Sequence, residues 1–123
     1  MVERWLSLKT SEGLRPDLVG CQNDAMAAGA RKALAAFVVR PELAAVRLTG
    51  CDGLVDGGRR LVDEGRLAAT VITPSNTGPA IDLVARALAE RRQPQAELLL
   101  EPASYPKTDA LGPRPQTAIP VSR

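Results

Sequence analysis

Three polar residues, Asn23, Asp52 and Thr73, each follow a short apolar run, and their side chains define the chemistry available to this sequence. Asn23 comes after Leu18–Cys21 in the segment Gln22-Asn23-Asp24, Asp52 after Leu48-Thr49-Gly50-Cys51, and Thr73 after Thr70-Val71-Ile72. Asn offers a donor and an acceptor, ionised Asp two acceptor oxygens, and Thr a hydroxyl. Neighbouring parallel strands lie about 5 Å apart, so three such strand ends side by side converge on one polyhydroxylated molecule. The carboxyl edge of an open α/β sheet is where small ligands bind. The pattern suits recognition rather than turnover, because no nucleophile with an acid/base partner accompanies it. Plainer roles stand beside this one: Asn23 or Asp24 as a helix cap, Asp52-Gly53 as a turn, and Thr73 as a strand residue.

Other chemistry is scarce. Histidine is absent, which removes the commonest metal ligand and the usual general base near neutral pH. Cys21 and Cys51 are the two thiols. Each ends an apolar run and reads as a small buried hydrophobe; a disulfide between them requires adjacent strands with suitable Cβ geometry. A nucleophilic reading of Cys51 in Gly50-Cys51-Asp52-Gly53 lacks a base. Neither a Gly-x-Gly-x-x-Gly turn nor a phosphate loop is present, which weakens the alternative of a small Rossmann-like enzyme. No catalytic residue, metal site or cofactor is expected.

The elements that must position these groups are set by hydrophobic period and breakers. Residues 2–11 read as the end of a helix with Trp5, Leu6 and Leu8 as contacts, stopped at Gly13. Leu18–Gln22 reads as strand. Ala25 to about Val38 reads as a thin, alanine-rich helix with Met26, Ala30, Ala33, Leu34 and Phe37 on its apolar stripe. Ala45–Cys51 is a second strand, and Leu54–Glu64 a helix with Leu54, Gly58, Leu61 and Val62 on one side. Gly57 and Gly58 inside it cost about 1 kcal/mol each and imply a close approach to the sheet or a neighbouring lobe. Leu67–Thr73 is a β-branched third strand. Asn76-Thr77-Gly78-Pro79 opens a helix to about Arg92, with Ile81, Val84, Ala85 and Leu88 as its apolar face. Ala96–Leu100 is a short fourth strand. Pro102, Pro106, Pro113, Pro115 and Pro120 mark residues 102–123 as an extended tail. The alternation of strands and helices predicts an α/β fold with a parallel sheet of four strands and about four helices covering both faces.

Bulk composition bounds the partners. With 123 residues the chain forms one modest domain, and a net charge of +2 gives no strong field for nucleic acid or anionic membrane. One Trp, one Tyr and one Phe cannot build a stacking platform for bases or sugars. No stretch approaches the roughly 20 apolar residues of a membrane span. Met1–Leu6 lacks the features of a signal peptide, so the chain as written is expected in the cytoplasm.

The segments QNDAMAAGARKAL, VRLTGCDGL and LVDEGRLAATVITP resemble, in order and spacing, the C-terminal half of ribose/galactose-type periplasmic binding proteins. The sensor domain of lactose-repressor-like regulators is similar. The resemblance covers about residues 17–101 and implies a partial, Rossmann-like three-layer lobe of a type I periplasmic binding protein over residues 1–101. It implies sugar contacts by Asn23 and Asp52, with Thr73, shorter than the usual Gln or Asn, in the third position. The implied role is the substrate-binding component of an ABC-type sugar importer with a permease partner outside the cytoplasm, or else the effector-sensing part of a transcription regulator. In the family's topology the chain crosses to a second lobe after Thr73 and returns near Gln95. Residues 74–95 would then hold a helix that packs on that lobe. The first strand is expected to present an open edge, which favours self-association.

Overall fold

The computed structural model describes residues 2–112. Four strands, β1 (Leu18–Gly20), β2 (Arg47–Asp52), β3 (Ala69–Ile72) and β4 (Ala103–Tyr105), form one sheet in the order β1-β2-β3-β4. β1, β2 and β3 run parallel, and β4 is antiparallel to β3. The helices are α1 (Val2–Leu6), α2 (Asp24–Ala36), α3 (Arg60–Asp63) and α4 (Thr77–Ala89). The fold class is α/β as the sequence predicts, with four strands and four α-helices among the described residues, but the expected parallel sheet is parallel only over β1–β3, because β4 pairs antiparallel to β3.

Strand order proceeds in one direction from β1 to β3, so right-handed crossovers place α2 and α3 on the same face of the sheet. The side-chain alternation agrees. Val19, Cys21 and Leu48 pack with Ala27, Ala30 and Leu34 of α2, Leu61 of α3 and Leu6 of α1. Leu34, Leu43 and Leu48 are fully buried, each stabilising the fold by about 1.5–3 kcal/mol. On the opposite face Leu18 and Val71 stay exposed, and Thr49 and Cys51 are half-buried. The expected cover on both faces is therefore complete only on the α2 face among the described residues.

Arg31 ties α2 to the loops that flank the strands. Its guanidinium donates to the carbonyls of Ala44 and Val46, both at 2.7 Å, and to that of Arg66 at 3.2 Å. Burial lowers its pKa.

Several expectations are corrected. The buried stripe of α2 uses Ala27 in place of Met26, which sits at the first turn and remains exposed. Leu54–Glu64 is not one regular helix: Val55–Arg59 forms a π-helical turn ahead of the short α3, and Gly57 adopts φ −117°, ψ −110°. A side chain disfavours that conformation, and glycine supplies it. The expected fourth strand at Ala96–Leu100 is absent. The strand forms instead at Ala103–Tyr105, inside the segment expected as tail, flanked by Pro102 and Pro106. An edge strand tolerates proline at its ends because no central ladder bond is lost. A 3₁₀ turn comes next at Thr108–Leu111, and residues 113–123 of the expected tail lie outside the described residues.

The apolar face expected for α4 is real in sequence but uncovered in space. Ile81, Val84 and Leu88 are exposed, and Ala87 is the buried residue of that helix. Periodicity marks a face without naming what lies on it. β1 likewise stands at an edge of the sheet, beside an apolar groove of about 420 Å³ lined by Val2, Trp5, Leu18, Val19, Ala30 and Leu34. The two cysteines are free. Gly20 is level with Thr49, so Cys21 falls level with Gly50, and Cys51 points to the other face of the sheet. Adjacent strands alone do not make that pair bridgeable. Burial pushes the Cys21 thiol pKa up, which disfavours its nucleophilic form.

Candidate functional site

Asn23, Asp52 and Thr73 stand at the carboxyl ends of β1, β2 and β3, three neighbouring strands. The three are not equivalent. Asn23 is the N-cap of α2, and its Oδ1 accepts the Met26 N–H at 2.7 Å. That cap satisfies a helix donor that would otherwise be orphaned. The Asn23 amide nitrogen has no hydrogen-bond partner among the described residues and is the group left to offer a ligand. Asp52 is exposed, with both carboxylate oxygens outside any hydrogen bond among the described residues. Thr73 is exposed; its N–H donates to the Asp52 carbonyl at 3.3 Å, and its hydroxyl reaches the same oxygen at 3.4 Å.

Asp52 has φ +102°, a left-handed conformation that non-glycine residues rarely adopt. Such strain costs about 1–3 kcal/mol and persists only where the surroundings over-determine it. Here they do. The two peptide groups that flank Gly53 are both held: Asp24 Oδ2 accepts the Gly53 N–H, in the 52–53 peptide, at 2.9 Å, and Arg59 Nε donates to the Gly53 carbonyl, in the 53–54 peptide, at 2.9 Å. Gly53 itself has φ +62°, and a Cβ there would meet the Ile72 backbone at 2.6 Å. The turn is thus wedged against the end of β3 and aims the Asp52 carboxylate outward.

Asp24 is the residue that sequence reasoning undervalued. It is not the cap of α2, since Asn23 takes that role. Its side chain turns inward, buried, and bonds both the Gly53 N–H and the Thr70 hydroxyl, the latter at 2.6 Å. Gly50 and Gly58 make room for it, because a Cβ at either would collide with the Asp24 carboxylate. The available signal was that pair of glycines, one in a strand and one in the helical segment after it. A shallow hollow of about 210 Å³ opens beside this cluster, lined by Asp24, Asp52, Leu54, Gly57, Gly58 and Leu61. Asp52 lies in its wall; Asn23 and Thr73 do not.

Among the described residues no group of His, Cys, Asp and Glu is arranged to hold a metal ion. The free polar atoms are hydrogen-bond donors and acceptors pointing to solvent at the strand ends, which can orient hydroxyl groups.

The chain resembles, in structure, the fructose-binding periplasmic domain of a hybrid two-component system. The TM-score is 0.65 and the sequences are 27% identical, over 84% of this chain and 34% of the other. The chain thus spans about a third of the length of that protein. No family model matches the chain, and no curated protein matches it. Sheet order, crossovers and this likeness are consistent with part of one lobe of a type I periplasmic binding protein.

Proposed function

We propose that the chain is part of a carbohydrate-recognition lobe that binds sugar hydroxyls without chemical turnover. The observation that carries this reading is the strained, exposed Asp52 at the end of β2, set between Asn23 and Thr73 on the neighbouring strand ends. Asp52 accepts from two hydroxyls, the Asn23 amide nitrogen donates to a third oxygen, and Thr73 contributes a hydroxyl at the margin. The likeness to a fructose-binding domain supports a sugar as the ligand. The described residues supply one wall of a cleft. Affinity of this chain alone is therefore in the millimolar range or weaker, about −4 kcal/mol or less favourable. Calorimetry with pentoses and hexoses tests this; micromolar binding contradicts the half-cleft reading.

The wider role is the substrate-binding component of an ABC-type sugar importer, with a permease as partner and an extracytoplasmic location. No helix among the described residues is long and apolar enough to cross a membrane. A second reading, ligand sensing, is favoured by the neighbour's membership of a two-component system. The reading frame upstream of Met1 separates an extracytoplasmic role, which calls for a secretory signal, from a transcription regulator, which calls for a DNA-binding helix-turn-helix. The open edge of β1 and its apolar groove support association with a second copy of the chain.

A further inference from the structure

We propose that Arg59 is a positioning residue for the Asp52 carboxylate, braced by a strut of Tyr105 and Asp63 that links the last strand to the ligand turn. Two contacts meet at this residue, and a third extends them to α3. Arg59 Nε donates to the Gly53 carbonyl at 2.9 Å, beside the strained Asp52. Its guanidinium carbon lies 5.9 Å from the centroid of the Tyr105 ring, in cation–π range. The Tyr105 hydroxyl in turn donates to Asp63 Oδ1 at 2.7 Å, joining β4 to α3.

A kink at Gly57 precedes Arg59 on its way to the Gly53 carbonyl. The Arg59 N–H bonds back to the Leu54 carbonyl, five residues earlier, at 3.2 Å. Gly57, at φ −117°, ψ −110°, breaks the helical run two residues before Arg59, so Arg59 does not continue the direction set by Val55 and Asp56. Among the described residues Arg59 forms no ion pair, so its charge is not committed to a carboxylate. Its side-chain hydrogen bond holds the 53–54 peptide while Asp24 holds the 52–53 peptide, so Gly53 is fixed from both sides. Without that bond the 53–54 peptide rotates more freely about Gly53, the neighbouring Gly53 N–H bond to Asp24 loosens, and Asp52 relaxes from positive φ so that its carboxylate leaves the outward position. The effect on ligand rests on the reading of Asp52 as a sugar contact; the effect on the turn does not.

The test compares the wild-type chain with Arg59→Met, which removes the donor, Arg59→Lys, which restores a cation, and Tyr105→Phe, which cuts the strut. Arg60→Met, exposed at the start of α3, serves as the control. Amide hydrogen exchange at Gly53 and the apparent Kd for D-fructose are read by ¹⁵N NMR, with thermal midpoints recorded alongside. Loss of one charge-assisted bond predicts Gly53 exchange about tenfold faster and fructose affinity about tenfold weaker in Arg59→Met. Arg59→Lys recovers part of both, Tyr105→Phe shows a smaller change in the same direction, and Arg60→Met shows neither. Unchanged Gly53 exchange overturns the proposal, as does faster exchange with unchanged fructose affinity. If Arg59→Met does not fold, Tyr105→Phe decides by the same two readouts. If the wild-type chain takes up no sugar, the functional reading fails, and the positioning of the turn stands or falls on the exchange measurement.

Discussion

Asp24 accepts the backbone N–H of Gly53 at 2.9 Å, joining the first turn of α2 to the turn after β2 across 29 residues. One buried carboxylate thereby fixes the relative positions of two strand ends. Removing it in Asp24→Ala strands the Gly53 N–H and the Thr70 hydroxyl in a dry site, a loss of about 3 kcal/mol. Asp24→Asn is milder, about 1 kcal/mol, because its oxygen can keep Gly53 while its amide donates to the rotatable Thr70 hydroxyl. Urea unfolding of the two variants checks the order: equal losses contradict it.

The room around that carboxylate is made by glycine. Gly58→Ala and Gly50→Ala place a methyl group against Asp24 oxygens, and moving that carboxylate aside breaks its bonds to the Gly53 N–H and the Thr70 hydroxyl. Each is expected to destabilise by about 1–3 kcal/mol, the usual cost of overpacking. Gly29→Ala, where a Cβ meets nothing within 4 Å, is the control and is expected to stabilise slightly. Thermal midpoints of the three variants separate crowding from helix propensity.

Strain at Asp52 implies a trade of stability for ligand. Asp52→Gly relieves the positive φ and raises stability by about 1 kcal/mol while abolishing sugar binding. Asp52→Ala loses the ligand group without that relief. A destabilised Asp52→Gly variant contradicts the strain argument.

Tyr105 adds a small alkaline dependence to stability. Its hydrogen bond to Asp63 is the main cause that raises its pKa above the usual tyrosine value; burial and the Asp63 charge add to the shift, and Arg59 opposes it. A raised folded-state pKa contributes stability that is fully present below the unfolded value and is lost as pH rises through the folded one. Urea midpoints are therefore expected to fall from about pH 10 upward, and Tyr105→Phe to flatten that fall. A wild-type profile identical to that of the variant contradicts the strut.

Much of the scaffold was legible because its signals are local. The β-branched run at Thr70–Thr73, the alanine-rich α2 and the polar residues ending β1 and β2 each announce their element within a few residues. The hidden part is long-range. Whether Asp24 caps its own helix or reaches Thr70, 46 residues away, depends on sheet register that no local pattern records. The fourth strand lies at Ala103–Tyr105 rather than Ala96–Leu100 because an edge strand is chosen by its partner, β3, more than by its own apolarity. The kink at Val55–Arg59 depends on Gly57, which in sequence reads as a residue allowing close approach inside one continuous helix. At the candidate site, residue types pointed to Asn23, Asp52 and Thr73, but only the folded chain reveals that Asn23 commits its oxygen to the Met26 N–H.

The most direct measurement is a ¹⁵N NMR titration of the chain with D-fructose, alongside Asp52→Ala. Saturable shifts confined to the amides of Asn23, Asp52, Gly53 and Thr73, with a Kd of about 1 mM or weaker and lost in the variant, are the predicted result. Shifts that leave those strand ends untouched, or that survive unchanged in Asp52→Ala, contradict a sugar site there.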